Sequence, residues 1–579
     1  NGVTMAVRLN SEANQQNHHR IDNNYFGPRP ILGSNGGETL RIGTSHYSLT
    51  DSYTIVENNY FDRCNGEVEI ISNKSGHNIF RGNVFFESRG TLTLRHGNDN
   101  LVEDNVFFGN GVAHTGGIRL INKRQTIRNN YMLGLTGNRF GSALTIMNGV
   151  PDSPINRYHQ VEDSLIENNT VIDARHVELA AGSDSERSAV PRTTEFRNNL
   201  IFSGNGADPF TIHDDISGIR FEGNVQNNIP GFQIKKGFSA REVTLEHLAN
   251  GLIVPKGKEM QGVGASRDLK VLEKAETGVS WYPKPDASSR FDGGQTHRVE
   301  AGGEHLLKAV ANASAGDVLE LNPGQYLVEK IISVDKPLTI RSATEEKPTI
   351  EFERTALFEI LDGGALKLEN LSISGASAPD VAGNSLIRTS RYSMLTNYDL
   401  IINDCKVEDL DVNHSFNLLT VAKSTFAQLI EINGSDFSNI TGAILALDKE
   451  TDDLGLYNAE YVVITDSTFK DIGKALLNIY RGGTDESTFG PHVDIRGADL
   501  VSVGNNKRNK SAASIFMLGV QVASIKDNEF THSKPVRVVQ TVGDFNSRIE
   551  NNRFIATAAP DVIKGPVVVS GNTVTESKE

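Results

Sequence analysis

Short alternations of apolar and polar residues recur along the first 230 residues of this 579-residue chain. Residues 91–94 (TLTL) and 118–121 (IRLI) place apolar side chains on one face and polar or small ones on the other. This period of two predicts short β-strands with one buried face. No run of about 18 apolar residues occurs, so we expect no helix that spans a membrane.

An Asn followed by an aromatic or β-branched residue recurs between these strands. These Asn residues are 35, 24, 22, 25, 39, 30 and 25 residues apart. The basic period is therefore 22 to 25 residues, lengthened in places by insertions, and is too short for helical-pair repeats or propeller blades. The period fits one coil of a parallel β-helix or a leucine-rich repeat, and the Leu-x-x-Leu-x-Leu skeleton of the latter is absent. The repeated residues are Asn24, Asn59, Asn83, Asn105, Asn130, Asn169, Asn199 and Asn224.

Stacked coils would bring these Asn side chains into one hydrogen-bonded ladder, with the following aromatic residues stacked inside. The fold class predicted is therefore all-β, a right-handed parallel β-helix. We expect the ladder to be structural and not catalytic.

A second array follows a segment rich in Pro and Gly. Residues 231–297 lack the repeat and are predicted to be a linker. Residues 304–313 (EHLLKAVANA) predict a short amphipathic helix that caps a second parallel β-helix, residues 298–579. The first domain, residues 1–230, opens on a strand with no cap or leader, so we expect it to lack its first coils. The chain is thus predicted to hold two β-helix domains in tandem.

The charge composition bears on which classes of binding partner the protein can have. There are 57 Lys and Arg against 72 Asp and Glu, a net charge of −15, which argues against sequence-independent binding of nucleic acid. A polyanionic substrate remains open, because a local basic site can lie on an acidic protein. The two cysteines fall in different predicted domains, so we expect no disulfide. A homodimer is compatible with the sequence.

The densest polar segment on a predicted strand is residues 65–75 (NGEVEIISNKS). Glu67 and Glu69 are two residues apart, so a strand would place both carboxylates on one face, which favours a Ca²⁺ site of hard oxygen ligands. Lys74 lies on the same coil, Arg95 follows 21 residues later and Arg119 another 24 residues later. Coils that stack about 4.8 Å apart would form these three cations into a basic column.

Plainer interpretations stay open for each residue. The Glu pair is equally consistent with a solvated strand face, and a single outward Arg is common on any β-helix. His77, His96 and His114 are, taken singly, better explained as surface or packing residues.

Four segments resemble those of the family 6 polysaccharide lyases, which comprise chondroitinase B and the alginate lyases. They are residues 35–43 (NGGETLRIG), 65–75 (NGEVEIISNKS), 93–97 (TLRHG) and 116–120 (GGIRL). The resemblance covers most of residues 1–230. It implies that Asn35, Glu67 and Glu69 are Ca²⁺ ligands, that Lys74 is the general base and that Arg95 is the general acid.

The same resemblance makes Arg119 and His96 substrate contacts. It implies calcium-assisted β-elimination on a uronic-acid polymer, which leaves a 4,5-unsaturated uronate. Two tandem β-helices look like the two-domain alginate lyases, so alginate is the expected substrate and a structural role is expected for the second domain. A lyase of dermatan sulfate, and a non-catalytic carbohydrate-binding β-helix, are the alternatives. From this substrate class we expect a secreted or periplasmic bacterial protein.

Overall fold

The computed structural model describes residues 2–32, 35–257, 260, 262–484, 489–543 and 546–576. The chain divides into two compact units. The first unit comprises Asn1–Leu32 and Gly36–Asp286, and the second comprises Gly33–Asn35 and Ala287–Glu579. Each unit is a parallel β-helix of three sheets, which confirms the predicted fold class.

The first unit winds through three parallel sheets, A, B and C, once per coil. The strands of sheet A are Met5–Val7, Leu40–Gly43, Glu69–Lys74, Gly90–His96, Thr115–Leu120, Leu144–Met147, Val177–Ala181 and Phe210–Ile212. Those of sheet B are Arg20–Asp22, Ile55–Glu57, Ile79–Arg81, Leu101–Glu103, Thr126–Arg128, Leu165–Glu167, Thr194–Arg197 and Ile219–Glu222. Those of sheet C are Tyr25–Phe26, Tyr60–Asp62, Val84–Phe86, Val106–Phe108, Tyr131–Leu133, Thr170–Ile172, Leu200–Phe202, Asn224–Gln226 and Phe238–Ala240.

The predicted Asn ladder is present between sheets B and C. Each side-chain amide donates to the Asn of the next coil at 2.9–3.1 Å, without a break from Asn24 to Asn224. The same oxygens also accept backbone N–H groups; for example, Asn83 N–H donates to Asn105 Oδ1 at 3.0 Å. Buried amides that satisfy each other in this way fix the register of one coil on the next.

Aromatic stacking follows the ladder inside the coil. Phe26, Phe61, Phe85 and Phe107 form a column with ring centroids 4.5–4.7 Å apart. The left-handed backbone conformation lies one residue before the ladder Asn, as at Asn58 (φ 54°). The turn therefore uses the residue before each ladder Asn, which is Asn, Asp or Gly, and the ladder Asn is left free to form the ladder.

A second ladder, which the repeat did not predict, runs between sheets A and B. The N–H of Thr54 donates to Asn78 Oδ1 (2.8 Å), and the N–H of Asn78 donates to Asn100 Oδ1 (2.9 Å). Asn100 in turn donates to Gln125 Oε1 at 3.1 Å. Its members change residue type from coil to coil, which hides the ladder in the sequence.

Most of the segment predicted as a linker, residues 231–297, packs as part of the first unit. Residues 231–286 belong to the first unit, and an antiparallel hairpin of Leu245–His247 and Ile253–Pro255 lies within them. Leu252, Val254 and Leu269 are buried against the outer side of sheet C, and Tyr131 donates to Ile253 O at 2.9 Å. Burial of these apolar side chains is the reason that the segment packs on the first β-helix.

The second unit repeats the architecture in sheets D, E and F. The strands of sheet D are Thr296–Val299, Asp317–Leu321, Pro337–Ser342, Ala365–Glu369, Tyr398–Asn403, Ala427–Asn433, Ala459–Thr465, His492–Arg496, Val522–Lys526, Asn546–Glu550 and Val568–Ser570. Those of sheet E are Gln325–Val328, Thr349–Phe352, Ser372–Ser374, Lys406–Leu410, Asp436–Ile440, Thr468–Ile472, Asp499–Val503, Glu529–Thr531, Arg553–Ile555 and Thr573–Thr575. Those of sheet F are Ile332–Val334, Phe358–Ile360, Ser385–Thr389, Asn417–Thr420, Leu445–Leu447, Leu477–Tyr480, Ile515–Leu518, Val536–Val539 and Asp561–Lys564.

Helices are few. The α-helix Gly303–Asn312 lies where the sequence predicts a cap, and its Leu306 and Val310 are buried in the core of the second unit. Short 3₁₀ turns are Glu12–Asn14, Ser45–Tyr47, Arg139–Gly141 and Lys274–Glu276. Among the described residues, no helix has the length and apolar character needed to cross a membrane.

Replacement of one central ladder residue tests the role of the ladder. Asn105→Ala removes donors to Phe80 O (2.9 Å) and Asn130 Oδ1 (3.0 Å) and leaves buried acceptors unsatisfied. We expect a loss of about 3 kcal/mol of stability, seen as a lower unfolding temperature by calorimetry. The exposed Asn156→Ala is the matched control. An unchanged unfolding temperature for Asn105→Ala would mean that the ladder does not stabilise the coils.

Candidate functional site

Adjacent strands of sheet A bring together residues that are far apart in the sequence. Lys74 pairs in register with Gly43 on one side and His96 on the other. Ser72 pairs with Thr93, and Thr93 pairs with Arg119. A register shift between Leu94 and His96 lies at Arg95. The polar side chains described below therefore come from consecutive coils.

Three carboxylates meet at the start of these strands. Ligand oxygens of Glu38, Glu67 and Glu69 all lie within 4.8 Å of one another, and all three side chains are buried. Burial, together with the charges of Glu38 and Glu69, raises the pKa of Glu67 well above its ordinary value. Buried like charges are costly unless a cation or a proton compensates them.

Close backbone contact holds two of these residues in place. A Cβ atom on Gly66 would lie 2.0 Å from Gly37 O, so only glycine allows these two backbone segments to come this close. Gly36 N–H donates to Glu67 Oε2 at 2.9 Å. The glycines that precede Glu38 and Glu67 thus allow the two acids to lie side by side.

Glu69 is compensated by cations. Arg95 Nη1 and Arg119 Nη2 donate to Glu69 Oε1 at 2.9 and 2.7 Å, and Ser72 Oγ donates to Oε2. Burial alone would raise the pKa of Glu69, but Arg95, Arg119 and Lys74 outweigh burial and hold it well below its ordinary value. Glu69 is therefore ionised at neutral pH.

Of the two carboxylate oxygens of Glu38, one is hydrogen-bonded and the other has no partner among the described residues. Arg41 Nε donates to Glu38 Oε1 at 2.8 Å. Glu38 Oε2 is buried and has no hydrogen-bond partner among the described residues. A spare buried carboxylate oxygen beside two further carboxylates fits the hard oxygen ligands of a divalent cation such as Ca²⁺.

Lys74 is the amine nearest to this group. It is half-buried and makes no hydrogen bond or ion pair of 4 Å or less with any residue that the structure describes. Burial lowers the pKa of Lys74, and the nearby Arg95 and Arg41 lower it further against the opposing effect of Glu69. The neutral amine is therefore more accessible than for an ordinary lysine, as a general base requires.

Two arginines line the site with an aromatic residue between them. The guanidinium carbons of Arg95 and Arg119 lie 5.0 and 5.9 Å from the ring centroid of Tyr158. The pKa of Arg95 is raised: burial opposes this, but Tyr158 and Glu69 outweigh it. Arg95 therefore stays protonated and supplies a fixed positive charge with N–H donors.

His96, a predicted substrate contact, is fully buried in this structure. Burial, with the charges of Arg95 and Lys74, lowers its pKa to about 3, so the imidazole is neutral. Arg119, the other predicted contact, is also buried. Asn35, predicted as a metal ligand, is exposed in a turn directly before Gly36.

The structure thus brings Glu67, Glu69, Lys74, Arg95 and Arg119 together. Sequence reasoning missed Glu38, although it stands three residues after Asn35 in the segment NGGETL. It also missed Arg41, Ser72 and Tyr158. Tyr158 lies in an irregular insertion between coils, where no repeat marks its position.

Known proteins share this architecture. Residues 1–267 match the family model described as Chondroitinase B. The solved structure of a PL6 family alginate lyase, AlyGC, is 54% identical to this chain, and the match covers 99% of this chain and 80% of that chain with a TM-score of 0.97. A mutant of that lyase matches with the same values.

A mannuronic acid specific polysaccharide family 6 lyase from human gut microbiota is 35% identical, over 42% of this chain and 56% of its own, with a TM-score of 0.38. No curated protein sequence matches the chain.

A cation-binding test separates a metal site from an incidental acidic cluster. Glu38→Gln removes one of three buried negative charges, and Ca²⁺ affinity depends on the number of charged ligands. We expect at least about tenfold weaker Ca²⁺ binding by calorimetric titration. The exposed Glu242→Gln carries the same change of charge and should bind as the unaltered protein does. Equal affinity for both variants would remove Glu38 from the ligand set.

Proposed function

This chain belongs to polysaccharide lyase family 6, and we propose that it cleaves alginate by β-elimination with calcium bound at the acidic triad. The observation that carries the proposal is Lys74, a half-buried amine with a lowered pKa beside three carboxylates and two arginines. The 54% identity with an alginate lyase over 99% of the chain supports the choice of polymer.

Alginate is a chain of uronic acids, so every sugar carries a carboxylate at C6. In β-elimination a base removes the proton at C5, and the bond between C4 and its glycosidic oxygen breaks. The product bears a double bond between C4 and C5, and no water is added. The C5 proton is weakly acidic, which makes stabilisation of the charge on the carboxylate the main requirement.

Glu38, Glu67 and Glu69 would hold the calcium ion, with the exposed Asn35 as the further predicted ligand. Their fit rests on the unpartnered oxygen of Glu38 and on the pKa of Glu67, which burial and the adjacent Glu38 and Glu69 raise. When bound there, calcium would supply Lewis-acid neutralisation of the uronate carboxylate.

The neutral amine of Lys74 takes the C5 proton, and none of the described carboxylates holds this amine in an ion pair. Arg95 donates hydrogen bonds to the glycosidic oxygen that leaves from C4. Its raised pKa favours stabilisation of that oxygen by hydrogen bonds over complete transfer of a proton. Arg119 and Arg95 are held in position by Glu69.

Dermatan sulfate is the second candidate substrate, because residues 1–267 match the chondroitinase B family model. Both polymers present a uronate to the same residues. The ultraviolet absorbance of the new double bond, followed on alginate and on dermatan sulfate with and without chelator, distinguishes them. We expect absorbance to increase with alginate and not with dermatan sulfate.

Because alginate is an extracellular polymer, we also propose that the protein is secreted or periplasmic. The homodimer stays a prediction.

Lys74→Ala tests the base. Loss of general-base catalysis is worth about 10²- to 10⁴-fold, so unsaturated product should form at least about 100-fold more slowly. Lys235→Ala, an exposed lysine of the same unit, is the control and should keep full activity. Thermal unfolding of both variants checks that the fold is intact. Retention of more than about a tenth of the activity by Lys74→Ala would assign the base elsewhere.

The pH dependence tests the state of Lys74. Only the neutral amine accepts a proton, so activity should be low below the Lys74 pKa and should rise as pH increases through it. Because that pKa is lowered, the midpoint should lie below the ordinary value of 10.5. A profile of kcat/KM against pH measures the midpoint. A rate that falls over this range, or a midpoint at or above 10.5, would contradict the assignment.

A further inference from the structure

A cluster of cations and aromatic rings lies on the outer side of sheet F in the second unit. The residues that form it, here called the basic aromatic surface, are Lys449, Lys474, Tyr480, Arg508, Lys510 and Phe516. None of them is a residue of the site described above, which is built around sheet A of the first unit.

The loop that carries two of the cations has a fixed conformation. Its backbone is joined to the preceding coil, because Asn506 N–H donates to Gly473 O at 2.8 Å, directly beside Lys474. Asn509 is buried and donates to Gly504 O (2.8 Å) and Ala513 O (2.9 Å) across the loop. Arg508 and Lys510, on either side of Asn509, are therefore presented at defined positions and are exposed.

The local charge is opposite to that of the unit around it. Residues 287–579 hold 28 Lys and Arg against 40 Asp and Glu. Around Lys474, however, burial is the largest effect that lowers its pKa, and Arg508, Lys449 and Lys510 lower it further against one acid, Asp448. Asp448 is already paired with Lys449 at 3.0 Å. Among the described residues, Lys474, Arg508 and Lys510 have no carboxylate within 4 Å.

Aromatic rings adjoin these cations. Tyr480 and Phe516 meet edge to face with ring centroids 5.7 Å apart. Phe516 pairs in register with Asn478, whose side-chain oxygen has no hydrogen-bond partner among the described residues. Half-exposed rings beside cations that carry no ion pair suit a ligand with apolar ring faces and carboxylates.

We propose that the basic aromatic surface binds a segment of an acidic polysaccharide through residues other than the catalytic ones. The identity of the polymer as a uronate chain rests on the proposed function. A uronate chain offers one carboxylate per sugar to the row of cations and its ring faces to Tyr480 and Phe516. A second attachment point raises the local concentration of polymer for the first unit, because linked sites act together.

Affinity electrophoresis of the full chain in gels that contain alginate, with chelator, tests this surface. The Lys74→Ala background is used throughout so that the polymer stays intact. Arg508→Ser/Lys510→Ser added to that background should weaken retardation about tenfold in apparent affinity. The control pair Arg496→Ser/Lys526→Ser removes the same charge from sheet D and should leave retardation unchanged.

Unaltered retardation of the Arg508/Lys510 variant, or an equal loss in the control, would overturn the proposal. An equal, variant-sensitive retardation by DNA would overturn the assignment to a polysaccharide. Thermal unfolding of the variants excludes misfolding as the cause. Failure of the proposed function is recognised separately, because the unaltered protein would then form no unsaturated product from alginate.

Discussion

The stacking of one coil on the next is the constraint on which the site depends. The functional residues come from consecutive coils, with Glu69 and Lys74 on one strand of sheet A, Arg95 on the next and Arg119 on the one after, so coil register brings them together. The continuous Asn24–Asn224 ladder holds that register, since each buried amide satisfies the next at 2.9–3.1 Å. A slip by one residue would turn Lys74 and Arg119 into the core.

Charge is balanced over the site as a whole and not within simple pairs. Glu69 is paired with Arg95 and Arg119 and Glu38 is paired with Arg41, whereas burial and the neighbouring carboxylates raise the pKa of Glu67, whose ionised form a bound cation would stabilise. Lys74 interacts with both Glu69 and Arg95; burial lowers its pKa, and it has no ion-pair partner among the residues that the structure describes. The same surroundings thus keep the arginines charged and make the lysine available as a neutral base.

Much of this could be predicted from the sequence because a β-helix repeats itself. The Asn spacing located the ladder, and the one-coil intervals from Lys74 to Arg95 and Arg119 placed these cations on neighbouring strands. Where repetition fails, so did prediction. The coil between Glu38 and Glu67 contains an insertion, so their spacing does not match the repeat. Tyr158 comes from an irregular loop. The second ladder, of Asn78, Asn100 and Gln125, changes residue type from coil to coil.

The central claim is that the chain breaks a uronate polymer by elimination and not by hydrolysis. Mass spectrometry of the end products from alginate measures this directly. We expect each product with a newly formed non-reducing end to have the mass of a whole number of anhydrouronate units, because no water enters the cleaved bond; only the fragment that keeps the original non-reducing end carries one water more. Products that are saturated at a new non-reducing end, and therefore heavier by one water, would contradict elimination.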